Sequence, residues 1–416
     1  MILHIDANSF YASCERLFRP DLALKPIVVL SNNDGIIIAL NDEAKKAGFS
    51  RGDAYFKVAE NCDRKGVAVF SSNYTLYADI SARLVAIYNR LCPEVEIYSI
   101  DECFLYYPDW KCPDFSGIAS HIRNTVLKET GMPVSVGIAP TRTLSKMCNK
   151  LAKKRGGVCS YEEIDIETEL AKYPVEDIWG IGWSKQALLE RHGIKTALDL
   201  KRYPLDHAKK YLTITGFRTV QELNGIPSNE RIERAKKQNI CSSKSFGEAV
   251  FTLPELEEAL AAYTQEAVSR LRSEHSAVRY ISVYLMTNPW DESGPQYCNQ
   301  LSASLPSTTS FLPDILGTAV ELLRRLYRSG YRYRKIMVNL LGLEDDTVIQ
   351  GDLFENDEGR PARQALMQCF DSVNSRYGRN MLRMGVGMLE NRTWNMRRKF
   401  LSPAYTTDIK GIPEVH

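Results

Sequence analysis

Two stretches of this chain run through the same succession of elements: strand, helix, strand, strand, helix, strand. That recurrence limits what the sequence can build more than any single motif does. In the first stretch an apolar strand over residues 1–6 leads to a helix that begins near Ser9 and carries Phe10, Tyr11, Cys14 and Leu17. An amphipathic helix over 73–91 and a hairpin with arms at 94–100 and 103–107 follow, then helices over about 114–130 and 141–154 around a strand at 134–139. The second stretch has strands at 240–250, 278–287, 298–305 and 335–343, and helices at 254–275 and 313–329. Apolar residues alternate in the strands and recur at helical spacing in the helices. Each stretch is therefore expected to form an α+β unit of the ferredoxin-like type.

The remaining segments read as insertions and connections. A strand at 26–30, the turn-forming string Ser31-Asn32-Asn33-Asp34-Gly35, a strand at 36–40 and a short helix at 41–47 stopped by Gly48 form a small subdomain. Residues 175–225 read as helical, with Gly180-Ile181-Gly182 joining two short helices as a helix–hairpin–helix and a second break at His192-Gly193-Ile194. Residues 228–238 are polar and basic and read as a linker. The tail, 344–416, begins acidic and ends basic. At 416 residues the chain is too long for one core, and a net charge of +2 means that any nucleic-acid surface has to be local. Ten cysteines without a Cys-x-x-Cys pair read as reduced thiols of a cytoplasmic protein, and no apolar run is long enough to span a membrane.

Chemistry is expected where charge interrupts apolar strands. Asp6 ends the first strand, and Asp101-Glu102 lies between the arms of the hairpin. An adjacent Asp-Glu at a hairpin is more often a solvated turn, and an Asp after a strand is often a helix cap. Three carboxylates in apolar settings, however, need a counter-charge, and Mg2+ prefers hard oxygen ligands. Two Mg2+ ions held by Asp6, Asp101 and Glu102, with the backbone carbonyl of Ala7, could activate an attacking hydroxyl and stabilise a leaving pyrophosphate.

The surrounding strings decide between these readings. His4-Ile5-Asp6-Ala7-Asn8-Ser9-Phe10-Tyr11-Ala12-Ser13-Cys14-Glu15 resembles the opening motif of the Y-family DNA polymerases, and Ser99-Ile100-Asp101-Glu102-Cys103 resembles their second catalytic motif. The resemblance continues through Val136-Gly137-Ile138-Ala139, Thr143-Leu144-Ser145-Lys146 and Gly180-Ile181-Gly182. The strings Val28-Val29-Leu30-Ser31-Asn32-Asn33-Asp34-Gly35, Phe70-Ser71-Ser72-Asn73-Tyr74 and Leu401-Ser402-Pro403-Ala404-Tyr405-Thr406-Thr407 are similar to the UmuC branch.

The resemblance implies a right-handed polymerase. Its palm would span residues 1–32 and 69–168, its fingers 33–68, its thumb 169–229, its little finger 237–343 and its tail 344–416. It implies error-prone translesion DNA synthesis without proofreading, in SOS mutagenesis and damage tolerance. Tyr11 is then the gate that excludes a ribose 2′-hydroxyl, and Asn8, Ser9, Phe10, Tyr11, Lys45 and Lys153 contact the nucleotide. The fingers depart from the family's usual tyrosine and arginine, having Asp42 and Lys45 instead. Gly180, Gly182, Lys244, Arg324, Arg328, Arg332 and Arg334 are the expected phosphate contacts to DNA. Gln350, Leu353 and Phe354 resemble the clamp-binding peptide of bacterial polymerases. Primer-template DNA, a deoxynucleoside triphosphate, a sliding clamp, a UmuD-type subunit and RecA are the implied partners, at the nucleoid. The basic string from Arg392 to Lys399, which contains Trp394, suits either DNA or the UmuD-type subunit. A DNA-bound scaffold without catalysis and a nucleotide cyclase remain as alternatives.

Overall fold

The computed structural model describes residues 1–108, 114–228, 236–346, 360–378, 381–385 and 394–408. The chain divides into two compact units, Met1–Glu233 with Lys399–His416, and Arg234–Arg398.

The first unit opens with β1 (Ile2–Ala7), α1 (Phe10–Leu17), β2 (Ile27–Leu30), β3 (Ile37–Leu40), α2 (Asp42–Lys46), α3 (Tyr55–Arg64) and β4 (Ala68–Ser71). It continues with α4 (Tyr74–Leu91), β5 (Val95–Ile97), β6 (Glu102–Tyr106), α5 (Phe115–Thr130), β7 (Val134–Ala139), α6 (Arg142–Ala152) and β8 (Val158–Ser160). Five strands form one sheet in the order β5-β6-β1-β7-β8. The first strand therefore sits inside the sheet, and its residues alternate between two covered faces. Leu3 and Ile5 are fully buried, and the core they join includes Tyr77, Ile80 and Leu84 of α4 and Ile122 and Val126 of α5.

A separate three-stranded sheet has the order β3-β2-β4. It runs from Ile27 to Ser71, with β2 ahead of residue 33 and β4 starting at Ala68. Its own small core contains Val28, Leu30, Ile37, Phe49 and Cys62. Helices α7 (Ile166–Lys172), α8 (Trp183–Arg191), α9 (Ala197–Lys201), α10 (Leu205–Tyr211) and α11 (Thr213–Leu223) follow. The turn before α8 uses Gly180 at φ +88, a conformation that glycine adopts without steric cost. Glu222 of α11 is buried and accepts from the backbone N–H of Thr143 at 2.8 Å and from its hydroxyl. This fastens the helical segment to the start of α6.

The second unit contains β9 (Asn239–Val250), α12 (Leu253–Ser273), β10 (Ser276–Thr287), β11 (Cys298–Thr309), α13 (Leu312–Leu326), β12 (Tyr333–Asp345) and α14 (Arg360–Tyr377). Its sheet order is β11-β10-β12-β9. The element succession is that of the first unit, but here the last strand of the set, not the first, is interior. Ile281, Val283 and Leu285 alternate toward α12 and α13, where Leu260, Val268, Leu316 and Leu323 meet them. The tail helix α14 belongs to this unit: Met367 and Phe370 join its core, and Arg272 holds Asp371 through two bonds of 2.6 Å. Among the described residues no helix is long and apolar enough to cross a membrane.

Two substitutions test this packing. A Cβ on Gly137 of β7 would lie 2.1 Å from both the Asn149 nitrogen and the Ser145 oxygen of α6. Gly137→Ala should therefore lower unfolding stability by about 3 kcal/mol or more, read from urea denaturation. Glu222→Ala leaves two buried donors of Thr143 without their acceptor. It should cost about 2–3 kcal/mol on the same measurement.

Candidate active site

The register of two strands brings the acidic residues together. Asp6 of β1 pairs directly with Glu102, the first residue of β6. The Ala7 N–H donates to the Asp101 carbonyl at 2.9 Å, which draws the hairpin turn over the end of β1. Ser99 shapes that turn. Its hydroxyl donates to Asp101 Oδ1 at 2.5 Å and accepts from the Glu102 N–H at 3.1 Å. All three carboxylates stand at one end of the sheet, half-buried, and the residue at the N-cap of α1 is Ser9.

Two lysines from one helix and its C-terminus answer them. Lys153 Nζ lies 2.6 Å from Asp6 Oδ1, and Lys146 Nζ lies 2.6 Å from Glu102 Oε2. Burial nevertheless lifts Asp6 to about 6, opposed by Lys153 and reinforced by the charges of Glu102 and Asp101. Burial also acts to raise Glu102, but nearby His4, 3.8 Å away, and the hydrogen bond and charge of Lys146 outweigh it and hold that group at about 2. His4 is itself pushed down to about 4 by burial, so it is neutral near pH 7. The Lys146 ammonium also lies over the Tyr98 ring, 4.4 Å from its centroid, and 5.4 Å from that of Trp179. In the sequence Lys146 stands out only as a member of a motif, because its partner is 44 residues away in the chain. Among the described residues, no three His, Cys, Asp or Glu side chains are arranged to hold a metal ion as they stand.

The expected nucleotide contacts separate into those at the site and those used elsewhere. Asn8 is corrected. Its N–H donates to the Pro133 carbonyl at 2.9 Å, and its Oδ1 accepts from the Ser135 hydroxyl at 2.9 Å, so it pins the loop to β7. Ser9 takes a left-handed conformation, φ 48, ahead of α1. The Phe10 side chain is 4 % exposed and belongs to the core. Tyr11, the next residue, is only half-buried. Its ring stacks on Tyr77 with centroids 4.4 Å apart and planes 15° apart, and Tyr74 meets it edge-on. Burial raises the Tyr11 phenol, and the charge of Arg51, near enough to act, lowers it. Arg51 itself donates to the Ile38 carbonyl at 2.6 Å. Lys153 is at the site, whereas Lys45 pairs with Asp42 on its own helix at 2.8 Å.

In the second unit the expected phosphate contacts have local partners. Lys244 pairs with Ile336 in the sheet register, so it faces the helix side, where Glu266 of α12 holds it at 2.9 Å. Arg324 holds Glu257 at 2.7 Å, and Arg332 donates to Ser293 Oγ at 2.9 Å. Arg328 donates to the carbonyls of Arg325 and Tyr327, and Arg334 to that of Gly247. In the first unit Gly180 and Gly182 bracket the turn before α8. Trp394 is buried, donating to Glu258 Oε2 at 3.0 Å and meeting Tyr263 edge-on, so this aromatic serves the fold. The clamp-type residues Gln350, Leu353 and Phe354 lie outside the described residues.

Comparison with known proteins agrees with this geometry. Residues 5–150 match the model of the impB/mucB/samB family, residues 237–353 match that family's C-terminal domain, and residues 364–415 match a domain of unknown function. Protein UmuC of Salmonella typhimurium is 43% identical over 99% of each chain, and Protein MucB of the same species is 39% identical over 99% of each. A solved Y-family DNA polymerase chimera of Dbh and Dpo4 shares the fold, with a TM-score of 0.67 at 20% identity over 82% of this chain and 98% of that one. The carboxylates of β1 and β6, the two repeated α+β units and the full-length match place this chain in the impB/mucB/samB family, the UmuC branch of the Y-family DNA-directed DNA polymerases.

Proposed function

We infer that this translesion polymerase joins a primer 3′-hydroxyl to a deoxynucleoside triphosphate at the end of β1, in SOS mutagenesis, without proofreading. The observation that carries this reading is the pairing of Asp6 with Glu102, each held by a lysine ammonium at 2.6 Å. Those ammonium groups stand where positive charge is required, and the donors are hard oxygens of the kind Mg2+ prefers. The residues therefore fit divalent ions. Asp6, Asp101, Glu102 and the Ala7 carbonyl would hold two Mg2+, which supply activation of a hydroxyl and neutralisation of phosphate charge.

The chain's own residues prepare that chemistry. Ser99 fixes the Asp101 carboxylate toward the site, and neutral His4 supports Glu102 from below. Lys153 and Arg51 supply positive charge near Asp6 and Tyr11, where triphosphate oxygens would lie. The first N–H groups of α1 have no partner within the helix and offer further donors to those oxygens. Tyr11, braced by Tyr77, fills the space of a ribose 2′-hydroxyl. Arginines of the second unit would bind DNA phosphates by exchanging local carboxylates and carbonyls for them, giving affinity that falls with salt. A clamp bound through Gln350, Leu353 and Phe354, a UmuD-type subunit and RecA complete the proposed assembly.

Primer extension with Mg2+ tests the centre. Asp101→Ala should lower the rate by about 100-fold or more, because an interaction of several kcal/mol is removed. Extension at the unaltered rate would remove Asp101 from the chemistry. Tyr11→Ala should admit ribonucleotides, and unchanged sugar discrimination would return Tyr11 to the core. Deleting residues 350–354 should slow extension only when the clamp is present; equal slowing without it would indicate a folding role.

A further inference from the structure

The segment after Arg398 returns to the first unit, where residues 399–408 lie as an irregular strap. Its backbone is fastened by specific bonds. The Lys399 N–H donates to Asp34 Oδ2 at 2.8 Å, while the Phe400 N–H and carbonyl bond the Ser71 hydroxyl and N–H at 3.0 Å each. Tyr405 stacks on Phe18 of the first core, centroids 4.5 Å apart and planes 6° apart. Between these anchors Ser402 is buried. Its hydroxyl accepts from Asn73 Nδ2 at 3.0 Å, and Asn73 is the residue that caps α4 by accepting from the Leu76 N–H.

Ser402 also stands beside Glu15, a carboxylate with no exposure at all. One oxygen of Glu15 accepts from the Tyr77 hydroxyl at 2.7 Å. Burial raises the Glu15 carboxyl, the Tyr77 hydroxyl bond opposes that rise, and Oε2 has no partner at normal hydrogen-bond geometry. Tyr77 is the ring on which Tyr11 stacks. Asn73 thus ties the strap residue Ser402 to α4, the helix that carries Tyr74 and Tyr77, and Tyr77 in turn holds Glu15 through its hydroxyl and Tyr11 through its ring.

We propose that Ser402, Glu15 and Tyr77 are positioning residues for Tyr11, so that the C-terminal strap sets the sugar selectivity of the polymerase. The domain matched over residues 364–415 has no assigned function, and the strap near its C-terminal end thereby acquires a role. The proposal rests on Tyr11 being the sugar gate. Buried Glu15 fixes the Tyr77 phenol through their hydrogen bond, and the stacked Tyr11 ring inherits that position. Loosening the line leaves the catalytic carboxylates in place but lets the gate ring yield to a 2′-hydroxyl.

The test is single-nucleotide primer extension by the full chain with dNTP and with the matching rNTP. Ser402→Ala and Tyr77→Phe each remove one hydroxyl and keep the packing. Each should lower the ratio of deoxy to ribo kcat/KM by about fivefold, the equivalent of one buried hydrogen bond, chiefly through a lower KM for the ribonucleotide. Ser402→Thr should restore most of the ratio. The double variant should lose less than the product of the two single effects, because both act along one line. A role in folding alone would slow both substrates alike and leave the ratio unmoved, which overturns the proposal. Tyr11→Ala is measured alongside. If it relaxes sugar choice while Ser402→Ala and Tyr77→Phe do not, only the positioning claim fails; if Tyr11→Ala itself leaves the ratio unchanged, the gate assignment fails and takes the proposal with it.

Discussion

Two carboxylates, Asp6 and Glu102, are forced opposite one another by the register of β1 with β6. Neither can move away, because β1 is interior and its neighbours Leu3 and Ile5 are locked in the core. Like charges in a half-buried place are unfavourable unless cations attend them. Lys146 and Lys153 do so, one before and one after the end of α6. The position of α6 is fixed in turn by the close approach of Gly137 and by Asn149, whose amide donates to the His4 and Ser135 carbonyls at 2.8 and 2.7 Å. The rigid scaffold and the electrostatics of the site are therefore one arrangement seen from two sides.

That arrangement explains why neighbouring groups differ so much in proton affinity. Asp6 and Glu102 share a strand pair, yet one is raised to about 6 and the other lowered to about 2. The difference lies in their partners. Asp6 has one exposed lysine against burial and two like charges, whereas Glu102 has a well-covered lysine, resting on aromatic faces, and a buried histidine. An Asp6 so raised favours any positive ligand that relieves it.

Much of this was legible in the sequence, and the pattern of what was not is physical. The strands of both α+β units, the hairpin around Asp101-Glu102 and the helix from Tyr74 follow from local periodicity, and the structure has them where periodicity puts them. The pairing of β2 with β4 did not, because strand pairing is a long-range choice that local periodicity does not encode. Asn8 and Phe10 sit inside a motif that suggests nucleotide contact, yet their partners, Pro133 and the core around Tyr77, are distant in the chain. The ion pair of Lys244 with Glu266 was hidden for a simpler reason. A one-residue change of strand face separates a surface lysine from one that meets α12, and alternation in a polar strand is too weak to tell them apart.

The strap has a consequence for how the molecule is made. Asn73 and Ser402 are joined by a hydrogen bond between residues 329 positions apart, and Phe400 meets Ser71 at the same separation. A ribosome delivers the carboxylates, their lysines and Tyr11 early, but the residues that close over Asp34, Ser71 and Glu15 come almost last. Such contacts form late because the whole intervening chain must be present first. The first unit therefore waits, with its buried Glu15 not yet covered, until the second unit has been synthesised. Emergence of residues 399–408 marks the point at which the first unit can be closed.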